Sequence, residues 1–344
     1  MRWNVAIVSR LPKIKERTSQ AFHGAIPVGY EIPGASCPRS LNAPVTVRGI
    51  VRGRAVEEHA GLEHGYDQTM MEQQYSLNDD VFERFRALVY RECGINLTDH
   101  KRTLLSSRLQ KRLSQLGLTS FQDYYDLIVG RCGDAELTTM LDCISTNHTE
   151  FFREPHHFTF LRERVLHELA VDKTIRIWST ACSSGEEPYS IAMTLSDAIA
   201  SPSTWNCRIL ASDISTRMLA KAAACQYSHE RINSLPSNLV RRHFLLGKGD
   251  HAELVKIKPH IANMAVFRRI NLMDDRYPIK SLLDVIFCRN VMIYFDHETQ
   301  AAVLARLSRY LKPGGYLFIG HSETLRWISD TFHYIAPTIY RKQG

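Results

Sequence analysis

The hydrophobic period of the chain changes near residue 173, and that change limits what it can fold into. Downstream, short apolar and β-branched runs alternate with amphipathic stretches. Ile175–Trp178, Cys207–Ala211, Val266–Ile270, Asp284–Cys288, Tyr316–Ile319 and Ile335–Tyr340 read as strands; 188–200, 215–224 and 296–311 read as helices. The last of these helices stops at Lys312-Pro313-Gly314-Gly315. Strands alternating with helices predict an α/β fold with a parallel, doubly wound sheet, whose ligands sit at the strand C-termini. The stretch 225–265 breaks the alternation. Its Gly247-Lys248-Gly249-Asp250 turn lies between Phe244–Leu246 and Leu254–Ile257, which predicts an inserted helix plus a small antiparallel hairpin.

Upstream the period is helical. Leu77, Val81, Phe82, Phe85, Leu88 and Val89 recur at three- and four-residue steps, with Ser76 or Asn78 as the N-cap. A second helix over 99–116 puts Leu105, Leu109, Leu113 and Leu116 on one face and ends at Gly117. Further helices over 120–130, 134–146 and 155–170 complete a small all-α unit. Between Asp99 and Asp123 there is no acid but five bases, Lys101, Arg102, Arg108, Lys111 and Arg112. Lys101, Arg108 and Arg112 form a stripe beside the leucines; a solvated helix face is the plain alternative. Residues 1–70 have scattered Pro and Gly and no sustained period, which predicts a disordered extension or a mis-assigned start, Met70 and Met71 preceding the first clear pattern. The expected division is therefore 1–70, a helical domain over 71–150, a linker helix over 151–172, and an α/β domain over 173–344 with an insert at about 225–265.

Composition narrows the setting. Across 344 residues the net charge is +7 with 44% hydrophobic residues, ordinary for a globular chain. No apolar run approaches the ~20 residues that span a bilayer, and no secretory signal is evident. Eight cysteines without a C-x-x-C pair fit thiols in a reducing cytoplasm better than disulfides or a zinc site. The basic excess points to a polyanion or an acidic partner. It is spread as +3 over 1–70, −4 over 71–172 and +8 over 173–344.

The first strand-to-helix junction reads Ala181-Cys182-Ser183-Ser184-Gly185-Glu186-Glu187-Pro188-Tyr189. It is neither a G-x-G-x-x-G fingerprint nor a Walker A loop. Two glutamates at a helix start repel a pyrophosphate, which disfavours NAD, FAD and ATP, and suit a ligand with an ammonium. Gly185 there allows close backbone approach to a ligand. Taken alone, the loop fits plain helix capping by acids better. Asp213, ending the second strand, suits the two hydroxyls of a ribose or an N-cap. Asn271 and Asn290 follow the third and fourth strands, where amides could meet an adenine edge or the reacting group. Four polar positions at successive strand C-termini, behind a phosphate-averse first loop, point together to S-adenosylmethionine (AdoMet).

Longer stretches carry a specific resemblance. They are Asn147-His148-Thr149-Glu150-Phe151-Phe152-Arg153-Glu154, Gly185-Glu186-Glu187-Pro188-Tyr189-Ser190, Phe287-Cys288-Arg289-Asn290-Val291-Met292-Ile293-Tyr294-Phe295, and Leu311-Lys312-Pro313-Gly314-Gly315 with Gly320-His321-Ser322-Glu323. In order and spacing, from roughly 75 to 342, the chain resembles the CheR family, the AdoMet-dependent methyltransferases of bacterial chemotaxis receptors. The resemblance implies a class I (Rossmann-like) methyltransferase domain, an N-terminal all-α domain and a small inserted antiparallel β-subdomain. It implies that Asn147, Thr149 and Arg153 close over AdoMet, Arg153 toward its carboxylate. Glu186 would take the ammonium, Asp213 the ribose, and Asn271, Leu272, Arg289 and Asn290 the adenine and sulfonium side. Cys182 and Ser184 replace residues that are often Ala and Thr, and residues 1–70 have no counterpart.

The implied reaction is methyl-ester formation on receptor glutamates, yielding S-adenosylhomocysteine, with no dedicated catalytic acid or base and no metal. The implied partner is an acidic receptor helix meeting Lys101, Arg108 and Arg112, with a receptor tail peptide at the β-subdomain as a further contact. A cytoplasmic monomer recruited to receptor arrays at the inner membrane is expected. A nucleic-acid methyltransferase would show aromatics interleaved with Arg and Lys on a stacking surface, and none is evident. A non-catalytic AdoMet-binding module would most simply lack one of these ligands, and none is missing.

Overall fold

A computed structural model of the chain describes residues 75–130, 133–169, 173–199, 204–325 and 331–344. The expectation for residues 1–70 lies outside these. The described residues fall within one unit, Gly65–Gly344.

Four helices come first, α1 (Asp79–Cys93), α2 (Arg102–Leu116), α3 (Phe121–Val129) and α4 (Asp134–Ile144). Local chemistry sets their ends. Asn78, rather than Ser76, caps α1 by accepting from Val81 N at 2.9 Å, and Ser120 caps α3 by accepting from Asp123 N. Gly94 and Gly117 close α1 and α2 in the left-handed region. The apolar faces meet in one core of Phe82, Phe85, Val89, Leu105, Leu109, Leu113, Tyr124 and Met140. A short turn, Asp99–Lys101, leads into α2.

The segment expected as a linker helix, here α5, runs in three consecutive pieces: His156–Phe160, a π-helical Leu161–Val165, and Leu166–Leu169. It packs on the sheet through Phe158, Leu161, Val165 and Leu166. The sheet then forms from β1 (Thr174–Ser179), β2 (Asn206–Asp213), β6 (Ala265–Arg269), β7 (Leu283–Cys288), β8 (Leu311–Ile319), β9 (Phe332–Ala336) and β10 (Ile339–Lys342). Its order is β6-β2-β1-β7-β8-β10-β9. Five strands are parallel, while β10 pairs antiparallel with both β8 and β9. The sheet is therefore mixed, not wholly parallel. The single last strand expected at 335–340 is two: Pro337 and left-handed Thr338 (φ 63°) turn the chain into a hairpin.

Alternate residues serve opposite faces. Ile175, Ile177, Val285, Phe287, Tyr316 and Phe318 face α5 and α6 (Glu186–Ala198). Trp178, Ile286, Cys288, Leu317 and Ile319 face a helix over His297–Tyr310. Burial on both faces explains why β7 reads as an unbroken apolar run. The helix α7 (Thr216–Ala224), capped by Ser215, follows β2. The insert is richer than a helix plus hairpin. The strands β4 (Phe244–Leu246) and β5 (Leu254–Ile257) pair as expected, but β3 (Gln226–Ser228) adds a third, in the order β3-β5-β4. It also holds the short helices Ser237–His243 and Pro259–Ala262.

Between β2 and β7 the connections from β1 run to opposite sides, so the topological switch lies at the C-terminal end of β1. There the helical domain also docks. Asn271 donates to Glu92 O at 2.5 Å, Tyr90 donates to Asp296 at 2.8 Å, and Asn96 N donates to Tyr294 O. Gly94 sits so close that a Cβ there would lie 2.5 Å from Met273 Sδ.

Candidate active site

At this switch point a cleft of about 180 Å³ opens between the helical domain and the strand ends. Its walls carry Asn147, Thr149, Arg153, Asp213, Asn271, Leu272, Arg289 and Asn290, eight of the nine expected cofactor residues, together with Lys101. Ile214, Ile270 and Phe295 give it apolar surface.

The loop after β1 explains the acids. Ser183 (φ 47°) and Gly185 (φ 98°) turn the chain sharply into α6. Asp213 spans this turn: Oδ2 accepts from Ser183 N at 2.8 Å and Oδ1 from Ser215 N at 2.9 Å. Each oxygen keeps a lone pair for the cleft, as a pair of ribose hydroxyls requires. Burial pushes its pKa up against those backbone donors. The acid on the cleft wall at the start of α6 is Glu187, not Glu186. Glu187 accepts from Ser179 Oγ at 2.7 Å and from Arg289 at 3.0 Å, and burial pushes its pKa up. Glu186 is fully buried, and Ser184 Oγ donates to its Oε2 at 2.7 Å. Its Oε1 has no hydrogen-bond partner among the described residues, and the Arg231 guanidinium stands 3.7 Å away. Gly185 does not face a ligand. A Cβ there would lie 2.8 Å from Ala222 Cβ and 3.0 Å from Tyr227 Oη, so its bareness serves packing against α7 and the insert.

Beside Glu187 the backbone is strained. Phe152 (φ 56°), Glu154 (φ 58°) and Asn290 (φ 57°) all occupy the left-handed region, where non-glycine residues are held only by surrounding contacts. Arg289, 4% exposed, lies between Glu154 (3.2 Å) and Glu187 (3.0 Å), and also donates to Arg153 O. Its Nε has no partner among the described residues. Glu154 also receives the Asn290 amide and His321 N. Glu323 accepts from Gly320 N at 2.6 Å and from Asn290 N. Glu187 belongs to the acidic pair that the sequence matched to an ammonium, whereas Glu154 and Glu323 carried no expected role, their only signal being their place in the CheR-like stretches.

Two expected readers are already engaged. The Asn271 amide gives its N–H to Glu92 O and its oxygen to Met273 N, and Leu272 O accepts from Tyr277 and Arg306. Asn271 thereby ties the two domains. Arg153, half-buried, donates to His148 O, and Asn147 donates to Ser145 O. The basic stripe is also partly committed. Lys101 lines the cleft, donates to Asn96 O and lies 5.6 Å from the Tyr294 ring centroid; burial lowers its pKa. Arg108 donates to Ile144 O and Thr146 Oγ1 at the C-terminus of α4. Arg112 makes a two-pronged pair with Glu136 at 2.8 and 2.6 Å.

These residues fit AdoMet. Asp213 offers both oxygens and Glu187 a second carboxylate on the wall, the buried Glu186 Oε1 and Arg289 Nε lack a polar partner among the described residues, and Ile95, Leu97, Ile214, Ile270 and Phe295 supply apolar surface. Glu154, His156 and His157 lie close enough to hold a metal ion, but Arg289 already occupies the carboxylate. Burial, with the Arg289 and His156 charges, pushes His157 down to about 2, so it is neutral.

Comparison with known proteins agrees with this geometry. Residues 147–341 match the family model described as CheR methyltransferase, SAM binding domain, and 80–145 match CheR methyltransferase, all-alpha domain. The chain is 41% identical over 271 residues to the chemotaxis protein methyltransferase of Escherichia coli (strain K12), covering 78% of this chain and 93% of that protein. It is 42% identical over 281 residues to that of Klebsiella aerogenes, covering 82% and 96%. Against chemotaxis protein methyltransferase 2 of Pseudomonas aeruginosa it is 39% identical over 270 residues, covering 78% and 95%.

Proposed function

The chain belongs to the CheR methyltransferase family, which makes it an AdoMet-dependent methyltransferase of chemotaxis, and from that premise we propose that it esterifies the γ-carboxylates of specific glutamates on the cytoplasmic helices of chemotaxis receptors, in sensory adaptation. The observation that carries this reading is the cleft itself. It is lined by acids at the strand ends and by Lys101 on the opposite, helical side.

AdoMet, when bound, supplies a methyl group activated on a sulfonium. In the proposed arrangement Asp213 holds the ribose, Glu186 with Glu187 faces the ammonium, and Arg153 faces the carboxylate. Asn147 and Thr149 cover the ligand, and the loops at Asn271-Leu272 and Arg289-Asn290 line its far side. A glutamate carboxylate with a pKa near ~4.3 is ionised at neutral pH, so no general base is needed. What the protein contributes is alignment and removal of water from two opposite charges that vanish together in the products. The buried Glu154–Arg289–Glu187 row keeps this wall rigid without offering a proton, since Arg289 is always charged.

The receptor helix is proposed to lie along the face carrying Lys101, Arg108 and Arg112, with Lys101 nearest the cleft. A second contact is proposed at the insert, where β4 is an edge strand with Leu245 41% and Leu246 51% exposed. An extended receptor tail would add to such an edge. Titration with receptor C-terminal peptides tests it; no saturable binding leaves α2 as the main dock. The protein is proposed to act as a cytoplasmic monomer recruited to receptor arrays, and none of its described helices is long and apolar enough to cross a membrane. Tritiated AdoMet offered with receptor-bearing membranes, with RNA and with the protein alone tests the whole reading. Base-labile label in the receptor supports the ester; label in RNA, or none, overturns it.

A further inference from the structure

The inserted subdomain touches the cofactor site directly, a contact that receptor docking does not require. Arg231, in the turn after β3, donates from Nη1 to Thr149 O at 2.8 Å. Its other terminal nitrogen stands 3.7 Å from Glu186 Oε1, the buried carboxylate oxygen without a hydrogen bond. Nearby, Tyr227 donates to Ser184 O at 2.8 Å, and the Phe151 ring packs edge-on against Tyr227 and Phe244. The insert therefore grips both the loop after β1 and the segment entering the cleft from the helical domain.

We propose that Arg231 is a positioning residue for the amino-acid end of AdoMet, so that the inserted subdomain completes the cofactor site. This rests on the reading of Glu186 as the ammonium partner. Its electrostatic logic is one of holding a charge in place. Burial favours the neutral form of Glu186, and the Ser184 hydroxyl and the Arg231 and Lys221 charges oppose that. A guanidinium at 3.7 Å favours the ionised form of the carboxylate against burial. It is too far for a hydrogen bond to that buried oxygen, which on this reading is left for the ammonium, behind Glu187 on the cleft wall. By holding Thr149 O, the same guanidinium fixes the backbone of a cleft-wall residue.

The test compares two probes, S-adenosylhomocysteine, which carries the amino-acid end, and methylthioadenosine, which lacks it. In Arg231→Ala, affinity for S-adenosylhomocysteine should fall roughly tenfold, while affinity for methylthioadenosine stays within about twofold. Arg231→Lys should recover most of the loss, and KM for AdoMet should rise while kcat at saturation changes little. Equal loss of both probes, or loss of neither, overturns the proposal. Glu186→Gln separates this from its premise. If it leaves S-adenosylhomocysteine binding unchanged, the ammonium reading fails. If it weakens binding and Arg231→Ala does not, only the role of Arg231 fails.

Discussion

Four carboxylates around the cleft fall into two classes, and the division predicts a pH response. Burial raises Glu154, but the Arg289 charge, the His321 N–H and the Asn290 amide outweigh it and hold its pKa below the usual range. Its contribution to stability is present above the unfolded value and is lost as pH falls through the folded one. Glu186, Glu187 and Asp213 are raised by burial, which their partners do not fully offset. They bind protons more tightly folded than unfolded, so stability falls as pH rises from the unfolded value through the raised ones. A bound cation offsets that cost only when they are ionised. Affinity for S-adenosylhomocysteine, which brings an ammonium, should therefore weaken as pH is lowered from about 7.5 toward about 5. Calorimetric titration across that range checks it, and an affinity independent of pH would contradict the assignment. A second residue carries a steric prediction. A Cβ on Gly320 would lie 2.4 Å from Asn290 Nδ2 and 2.8 Å from Asn290 N. Gly320→Ala should cost about 1–3 kcal/mol and displace the Asn290 loop. Chemical denaturation reads the first effect and cofactor titration the second.

At the scale of elements, the Arg112–Glu136 pair joins α2 to α4, with Tyr124 of α3 donating to the same carboxylate at 2.8 Å. The side chains are 24% and 13% exposed, so solvent screens the pair only partly. Arg112→Ala should destabilise by about 1–3 kcal/mol, against at most about 0.5 kcal/mol for the exposed neighbour Lys111→Ala. Urea unfolding of the two variants checks this; equal midpoints would place Arg112 on a free surface. The pair also shows where a linear reading stops. Within α2 the bases have no acid beside them, and the neutralising Glu136 lies 24 residues on. Helix ends were legible because capping is local, as Asn78, Ser120 and Ser215 show. β3 was not legible, since three residues with one buried side chain, Tyr227, make no period. Gly185 was legible as a tight spot, but only the fold reveals that Ala222 and Tyr227 crowd it. Asp213, Asn271, Leu272, Arg289 and Asn290 reach the cleft wall because strand C-termini converge in any doubly wound sheet, and Asn147, Thr149 and Arg153 because the segment after α4 crosses that end of the sheet. The choice between adjacent Glu186 and Glu187 depends on the rotation of α6, which the sequence does not specify.

Over the whole molecule, two ligands of opposite character must meet in one cleft. The cofactor is small, and its proposed contacts are buried acids and backbone at the strand ends. The receptor is large and would approach the outer, basic faces, α2 and the insert, where residues 221–269 hold nine bases and three acids. Salt acts on these two surfaces differently. The Debye length shrinks from about 10 Å at about 0.1 M to about 3 Å at about 1 M ionic strength, which weakens exposed charge pairs and leaves buried ones largely intact. Raising salt across that range should therefore raise KM for receptor several-fold, chiefly through slower association, while affinity for S-adenosylhomocysteine changes by less than about twofold. Methylation kinetics on receptor-bearing membranes, paired with calorimetry on the protein alone, separate the two. A receptor KM indifferent to salt would mean that Lys101 and its neighbours do not steer docking. A cofactor affinity falling in parallel would mean that the acids of the cleft are far more exposed than Glu187, with a side chain 12% exposed, and Asp213 at 8% allow.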